Sequence, residues 1–428
     1  MLFRSARALV PKLRFPEFRD AEKWKIVNLG KISHLVTEKV GRTTCIPYTI
    51  TSGVGLVSQQ EKFGRITAGS SLKNYIALQK NDFAYNKSAT KAYPEGFIAL
   101  CANNDRAAVP SSIFTCFRVD QNQVIPNFLN SLFFFNIHGR WLKSRIAVGA
   151  RAHGSLQVSD SDLMAMPLPL PSGPRSVSEQ QKIADCLASI DELITLESQR
   201  LDHLKLYKKG LMQQLFPAEG ETAPRLRFPE FRDAEGWSAP MLAEISKLID
   251  ERVGDRKLTP ISISAGIGFV PQVEKFGRDI SGEQYRRYTV IRDGDFVYNK
   301  GNSIRFPQGC IYDLQGWGEA AAPNVFICFR LKEGYENGFF RQYFEKNIHG
   351  IQLKKYITSG ARSNGLLNIS KETFFAIRIP LPSKAEQQKI ADCLGSLDDV
   401  IAMQARKVDA LKTHKITKIG RASCRERV

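Results

Sequence analysis

The nonapeptide EQQKIADCL stands at Glu179–Leu187 and again at Glu386–Leu394. Nine identical residues 207 positions apart mark a duplicated chain. Each copy opens a long polar segment carrying a thin apolar seam. The first seam runs Ile183, Leu187, Ile190, Ile194, Glu197, Leu201, Leu204, Lys208, Leu211 and Leu215, in alternating steps of four and three. The second runs Ile390, Leu394, Leu397, Ile401, Gln404, Val408 and Leu411. That spacing is the heptad repeat of a helix that packs on another helix. The stripe is narrower than the one a helix lays on a globular core. Neither segment contains proline, so two long helices are expected, each the other's nearest partner. Glu197 interrupts the first seam where Gln404 interrupts the second. In an antiparallel pair related by a pseudo-two-fold, both interruptions fall near its middle, where an amide and a carboxylate can hydrogen-bond and fix the register.

The duplication reaches well beyond the helices. LRFPEFRDAE at Leu13–Glu22 returns at Leu226–Glu235, EKFGR at Glu61–Arg65 returns at Glu274–Arg278, and FxYNK at Phe83–Lys87 returns at Phe296–Lys300. NIHG begins at Asn136 and Asn347, and GAR at Gly149 and Gly360. Each unit is therefore a mixed α/β domain followed by a long helix: residues 6–175 and 176–216, then 217–383 and 384–417. Pro16 and Pro229 make the lead-in extended. Alternating apolar residues in DFAYNK/DFVYNK and SIFTCFRV/NVFICFRL predict strands. Ile125–His138 and Gly338–His349 predict short aromatic-rich helices. The proline-rich runs 167–172 and 379–383 predict extended linkers into the long helices. The copies diverge most at 66–76 against 279–289 and at 88–112 against 301–324, a shared framework with different loops.

With 428 residues, 43% hydrophobic and 24% charged, the composition is that of a globular protein of two or three domains. No apolar run approaches the roughly 18 residues of a membrane span, and the first residues are too short in apolar core for a signal peptide. Both ends resemble one translated sequencing adapter in opposite orientations. Residues 1–5 and 418–428 are therefore set aside, and the second helix is expected to be truncated. The net charge of +18 falls to about +14 without those ends and points to a polyanionic partner. Eight cysteines form no CxxC, and the matched pairs Cys116/Cys328 and Cys186/Cys393 suit buried thiols of a reducing cytoplasm.

No phosphate-binding P-loop, HExxH, GxSxG, kinase set or amino-methyltransferase tetrapeptide is present, so no catalytic or metal-binding residue is assigned. The GVG at Gly53 and GIG at Gly266 are expected to be turns between strands rather than cofactor loops. His138 and His349 are expected to be satisfied structural residues rather than ligands. What remains is binding chemistry. Arg65 with Arg278, Asn86 with Asn299, Lys87 with Lys300 and Arg151 with Arg362 are paired polar positions beside glycines or at strand ends. Arginine forks to guanine, asparagine pairs with adenine, and either cation neutralises phosphate. Shared positions cannot tell two targets apart, so they suit phosphate contact or framework. Base reading falls to the divergent loops, around Lys91, Asn103, Asn104 and Arg106, and around Asn302, Arg305 and Gln308. A solvated surface role stays open for each.

Taken in order and twice over, the RFPEFRD lead-ins, the GARxxGxLxxS segments (Gly149–Ser159 and Gly360–Ser370), the PLPS linkers and the EQQKIADCL helices resemble the specificity subunits of type I restriction-modification enzymes. The resemblance covers nearly all of residues 11–415. It implies two target-recognition domains, each reading half of an asymmetric bipartite site in double-stranded DNA. It implies an antiparallel coiled coil that spaces the domains and docks two modification subunits. S-adenosylmethionine would belong to those subunits, and ATP and Mg to the motor-nuclease restriction subunits. This chain would bind no cofactor, catalyse nothing alone and act in the cytoplasm. The 38 residues of Glu179–Phe216 span roughly 57 Å, enough to hold two readers about one and a half DNA turns apart. A related fused restriction system or a free-standing DNA-binding regulator are the alternative settings.

Overall fold

Sequence repeated at fixed offsets should fold into elements repeated at those offsets. The computed structural model describes residues 10–422 except 52, 91–92, 103–105, 147–155, 219, 265, 302–305 and 358–366, with backbone alone for 418–422. The chain divides into two compact units, one running to Ser198 and joined by the stretch from Arg406 onward, the other Gln199–Ala405.

In the first unit, Asp82–Asn86 lies between Phe114–Val119 and Phe97–Leu100, with Ser33–Val36 on the outer side of Phe114–Val119. These four strands are antiparallel. A second sheet orders Gly55–Ser58, Ile46–Thr51, Ala107–Val109 and Ile76–Leu78, with one parallel pairing between Ile46–Thr51 and Ala107–Val109. The second unit repeats the first sheet with Ser246–Leu248, Ile327–Leu331, Phe296–Asn299 and Cys310–Asp313. Even the register repeats. Phe83 faces Phe117 and Phe296 faces Phe329, each pair with stacked rings, 5.1 and 5.5 Å apart. The glycine pairs expected to be turns join Ile46–Thr51 to Gly55–Ser58 and Ile261–Ser264 to Gly268–Pro271. The aromatic helices form at Pro126–Phe134 and Asn337–Glu345 and cover the sheets with Phe128, Leu129, Phe133, Phe339, Phe340 and Phe344.

Four expectations need correcting. The lead-in prolines do not keep the chain extended. Each opens a 3-10 turn, Pro16–Phe18 and Pro229–Phe231, because a first helical position needs no N–H. The proline-rich runs are extended but are not free linkers. Pro167–Leu170 pairs antiparallel with Lys25–Asn28, and Leu381 bridges Ser238, so each unit closes on its own lead-in. Cys116 and Cys328 are buried, but Cys186 is exposed and Cys393 half-buried on the helices. His138 and His349 are fully buried, and the described residues supply few of the partners expected for them. Both nitrogens of His349 lack a partner among the described residues, and His138 has only the Gly96 backbone beside it.

The long helices are Ser176–Leu215 and Lys384–Ala422. Helical backbone thus continues past residue 417, although the sequence after Lys415 departs from the first copy. Among the described residues, no helix is long and apolar enough to cross a membrane.

Candidate nucleic-acid interface and helix seam

The repeated nonapeptide is where each domain is anchored to its helix. Arg14 of the first lead-in grips Glu179 with two hydrogen bonds, 2.8 and 2.7 Å. Arg227 grips Glu386 in the same way, at 2.8 and 2.8 Å. Both carboxylates are only 1% exposed, and the ion pair with Glu386 raises the pKa of Arg227 above the usual arginine range. The guanidinium also donates to backbone carbonyls of the lead-in, Ala21 and Glu22 for Arg14, Ala234 and Glu235 for Arg227. The next residue caps the aromatic helix. Gln180 accepts from the Ile125 N–H at 3.0 Å, and Gln387 accepts from the Glu336 N–H at 3.1 Å. Exact repetition of Glu and Gln was the available signal for these roles, and the apolar seam alone did not convey it.

The seam side chains Ile183, Leu187, Ile190, Ile194 and Glu197 in the first helix, and Ile390, Leu394, Leu397, Ile401 and Gln404 in the second, are all buried or half-buried. In the first unit Lys415 pairs with Asp191, and Lys407 with Glu197. One numbering rises as the other falls, so these helix segments run antiparallel. Glu197 therefore has a cationic partner in its own unit. In the second unit, Lys208 Nζ donates to Asp398 at 2.7 Å and to Glu345 at 2.6 Å. Lys208 and Lys415 are repeat mates, as are Asp398 and Asp191. The third partner differs, since Lys415 sits 5.0 Å over the Phe134 ring where Lys208 has Glu345. A buried-edge lysine in each seam is thus held by an aspartate of the opposite helix.

The paired polar positions separate into two kinds. Asn86 and Asn299 fold back on the chain, accepting from the N–H of Ser88 at 3.0 Å and of Gly301 at 2.8 Å. Lys87 lies 3.7 Å from Asp160, and Lys300 donates to the Ile369 carbonyl at 2.7 Å. The two asparagines thus shape the strand ends, and the two lysines reach segments farther along the chain. Next to them, Gly96 and Gly309 have φ of +87° and +82°, and a Cβ there would collide with the Asn86 or Asn299 carbonyl. Arg65 and Arg278 instead follow left-handed Gly64 and Gly277 and are exposed, with no side-chain partner among the described residues. Arg106 is exposed, and its carbonyl accepts from Ile46 N–H. Arg151, Arg305 and Arg362, with Lys91, Asn103, Asn104 and Asn302, lie outside the described residues.

Two units of one framework, joined to paired long helices, agree with a direct comparison. The family model for the type I restriction modification DNA specificity domain matches residues 22–206 and 290–413. The chain belongs to that family. It is 24% identical over 278 residues to the MjaX type I restriction enzyme specificity subunit of Methanocaldococcus jannaschii. The match takes in 63% of this chain and 61% of the relative, so the chain spans about three fifths of that protein's length. Two solved structures share the fold. One comes from work on complex assembly and conformational transition of the type I R-M system, with TM-score 0.54, 17% identity, and 93% and 97% of the two chains covered. The other is the type I restriction-modification S subunit from M. genitalium, with TM-score 0.53, 14% identity, and 98% and 100% covered.

Proposed function

We propose that this chain is the DNA-sequence-reading specificity subunit of a type I restriction-modification enzyme. The observation that carries the reading is the family match over both units, set on two frameworks that agree in sheet register while their sequences diverge at 66–76 against 279–289 and at 88–112 against 301–324. Residues 6–175 and 217–383 each read one half of an asymmetric bipartite site in double-stranded DNA. Helices 176–216 and 384–417 space the readers and dock two modification subunits. Those subunits supply S-adenosylmethionine chemistry on adenine, and the restriction subunits supply the ATP- and Mg-dependent motor and nuclease. The chain itself serves by binding, in the cytoplasm. The basic excess suits the phosphate backbone, which contributes most of the salt-sensitive affinity. Mapping methylated adenines in cells with and without this chain tests the proposal. One bipartite motif should lose methylation when the chain is removed, and an unchanged methylome would overturn it.

A further inference from the structure

A second repeated motif, away from the strand ends, places positive charge on a rigid support in both units. Val40-Gly41 recurs as Val253-Gly254, and Gly69 as Gly282, all at an offset of 213. In the first unit a strap through Val40 and Gly41 binds the end of the 3-10 turn Gly69–Asn74 and the residues that follow it. The Val40 N–H donates to Tyr75 O and the Gly41 N–H to Lys73 O, both at 3.0 Å, while Ala77 N–H donates to Glu38 O at 2.9 Å. In the second unit the turn is Gly282–Arg287. Val253 N–H donates to Tyr288 O at 2.9 Å, Gly254 N–H to Arg286 O at 3.0 Å, and Val290 N–H to Glu251 O at 2.9 Å. The same three bonds therefore tie strap to turn twice.

Each strap has its own small core. Val40 is buried with Cys45 and Ala108, against Leu72 and Tyr75. Val253 is buried with Tyr288, Val290 and Ala321, against Tyr285 and Leu258. The Tyr285 hydroxyl further accepts from Leu258 N–H and donates to the strap. The outer side is open. Gly41, Gly69, Gly254 and Gly282 have φ between +48° and +59°. A Cβ on Gly69, Gly254 or Gly282 would meet nothing within 4 Å, and on Gly41 only the Lys39 carbonyl at 4.0 Å. A glycine backbone bare on its outer face lets another chain approach closely.

Charge gathers around these bare glycines. Lys39, Arg42 and Lys73 are exposed in the first unit, and Arg256, Lys257, Arg286 and Arg287 in the second. Acids are present too: Glu38 in the first strap, Glu251 and Asp255, which hold Arg256 and Arg286, and the exposed Glu283 in the second turn. Among the described residues, Arg42, Lys73, Lys257 and Arg287 have no side-chain partner. The two turns also fall in 66–76 and 279–289, where the copies diverge, so one scaffold carries different side chains.

We propose that each strap and turn forms a clamp on the DNA phosphate backbone, with Arg42 and Lys73 as its cations in the first unit and Lys257 and Arg287 in the second. The inference rests on the DNA-reading function proposed above and locates contacts within it. The test uses the full chain assembled with modification subunits, titrated against duplex DNA with and without the methylated motif, from 50 to 200 mM salt. The double variants R42Q/K73Q and K257Q/R287Q should each lower the slope of log affinity against log salt by about 1 to 2, since one phosphate contact adds roughly 0.9. Affinity for both duplexes should fall alike, and the methylated motif should stay the same. The charge-keeping pair R42K/K73R should restore the slope, as should K257R/R287K. All four side chains are exposed, so melting temperatures should not move. A wild-type assembly that fails to bind duplex overturns the proposed function and the clamp together. Normal wild-type binding with unchanged slopes in both double variants overturns the clamp alone.

Discussion

His138 and His349 occupy the same place in the repeat, each edge-on to a phenylalanine, Phe133 and Phe344. Burial pushes their pKa values down to about 4 and about 3. A histidine with a folded-state pKa below its unfolded value of 6.5 favours the neutral form on folding. Its contribution is intact above pH 6.5 and is lost as pH falls from there toward the folded value. Each ring should cost about 1.4 kcal/mol per pH unit over that window. Thermal melts of the wild-type chain should therefore fall steeply between pH 6.5 and 5. The double variant H138F/H349F should show a shallower dependence. Equal slopes for the two proteins would mean that other groups govern acid unfolding.

At the element scale, the long helices are held by more than apolar packing. Lys208 stands at a seam position where an aliphatic side chain would pack, and it reaches Asp398 and Glu345 instead. Its mate Lys415 reaches Asp191. Pairs of this kind contribute modestly to stability because the carboxylates are about half exposed, but only one helix register brings them together. Reversing the charge in D398K should place two cations side by side and lower the melting temperature of the second unit. The swap K208D/D398K should recover most of that loss, with a coupling on the order of 1 kcal/mol. A swap no more stable than the sum of its single variants would show that the pair does not set the register.

For the whole molecule, the telling property is one framework used twice with different loops. Each unit closes on itself: lead-in, sheet, aromatic helix and the start of its long helix share one core, with Trp24, Phe128 and Ala184 in the first and Trp237, Phe339 and Ala391 in the second. A unit with its own core can be exchanged without repacking the other. Replacing residues 13–170 by the corresponding stretch of another family member should change one half of the methylated motif and leave the other half intact. Methylome sequencing reads the outcome directly, and a motif changed in both halves would reject modular reading.

What the sequence determined by itself was whatever repeats or alternates along the chain. The identical nonapeptides revealed the duplication, the heptad steps from Ile183 to Leu215 revealed the helix and its buried side, and DFAYNK and DFVYNK revealed the central strands. Those patterns are local, since period and identity need no knowledge of what lies opposite. The use of individual polar residues was decided only in three dimensions. Asn86 and Lys87 look alike in a string of letters, but Asn86 accepts from Ser88 of its own strand end while Lys87 lies 3.7 Å from Asp160 of a distant helix. Glu179 looks like a solvated helix residue, yet it is the buried anchor of Arg14, 165 positions away. The strap at Val40-Gly41 has too short a pattern to stand out, and its meaning lies in the hydrogen bonds to Lys73 and Tyr75. A polar side chain takes its role from its partner, and chain folding, not sequence spacing, chooses that partner.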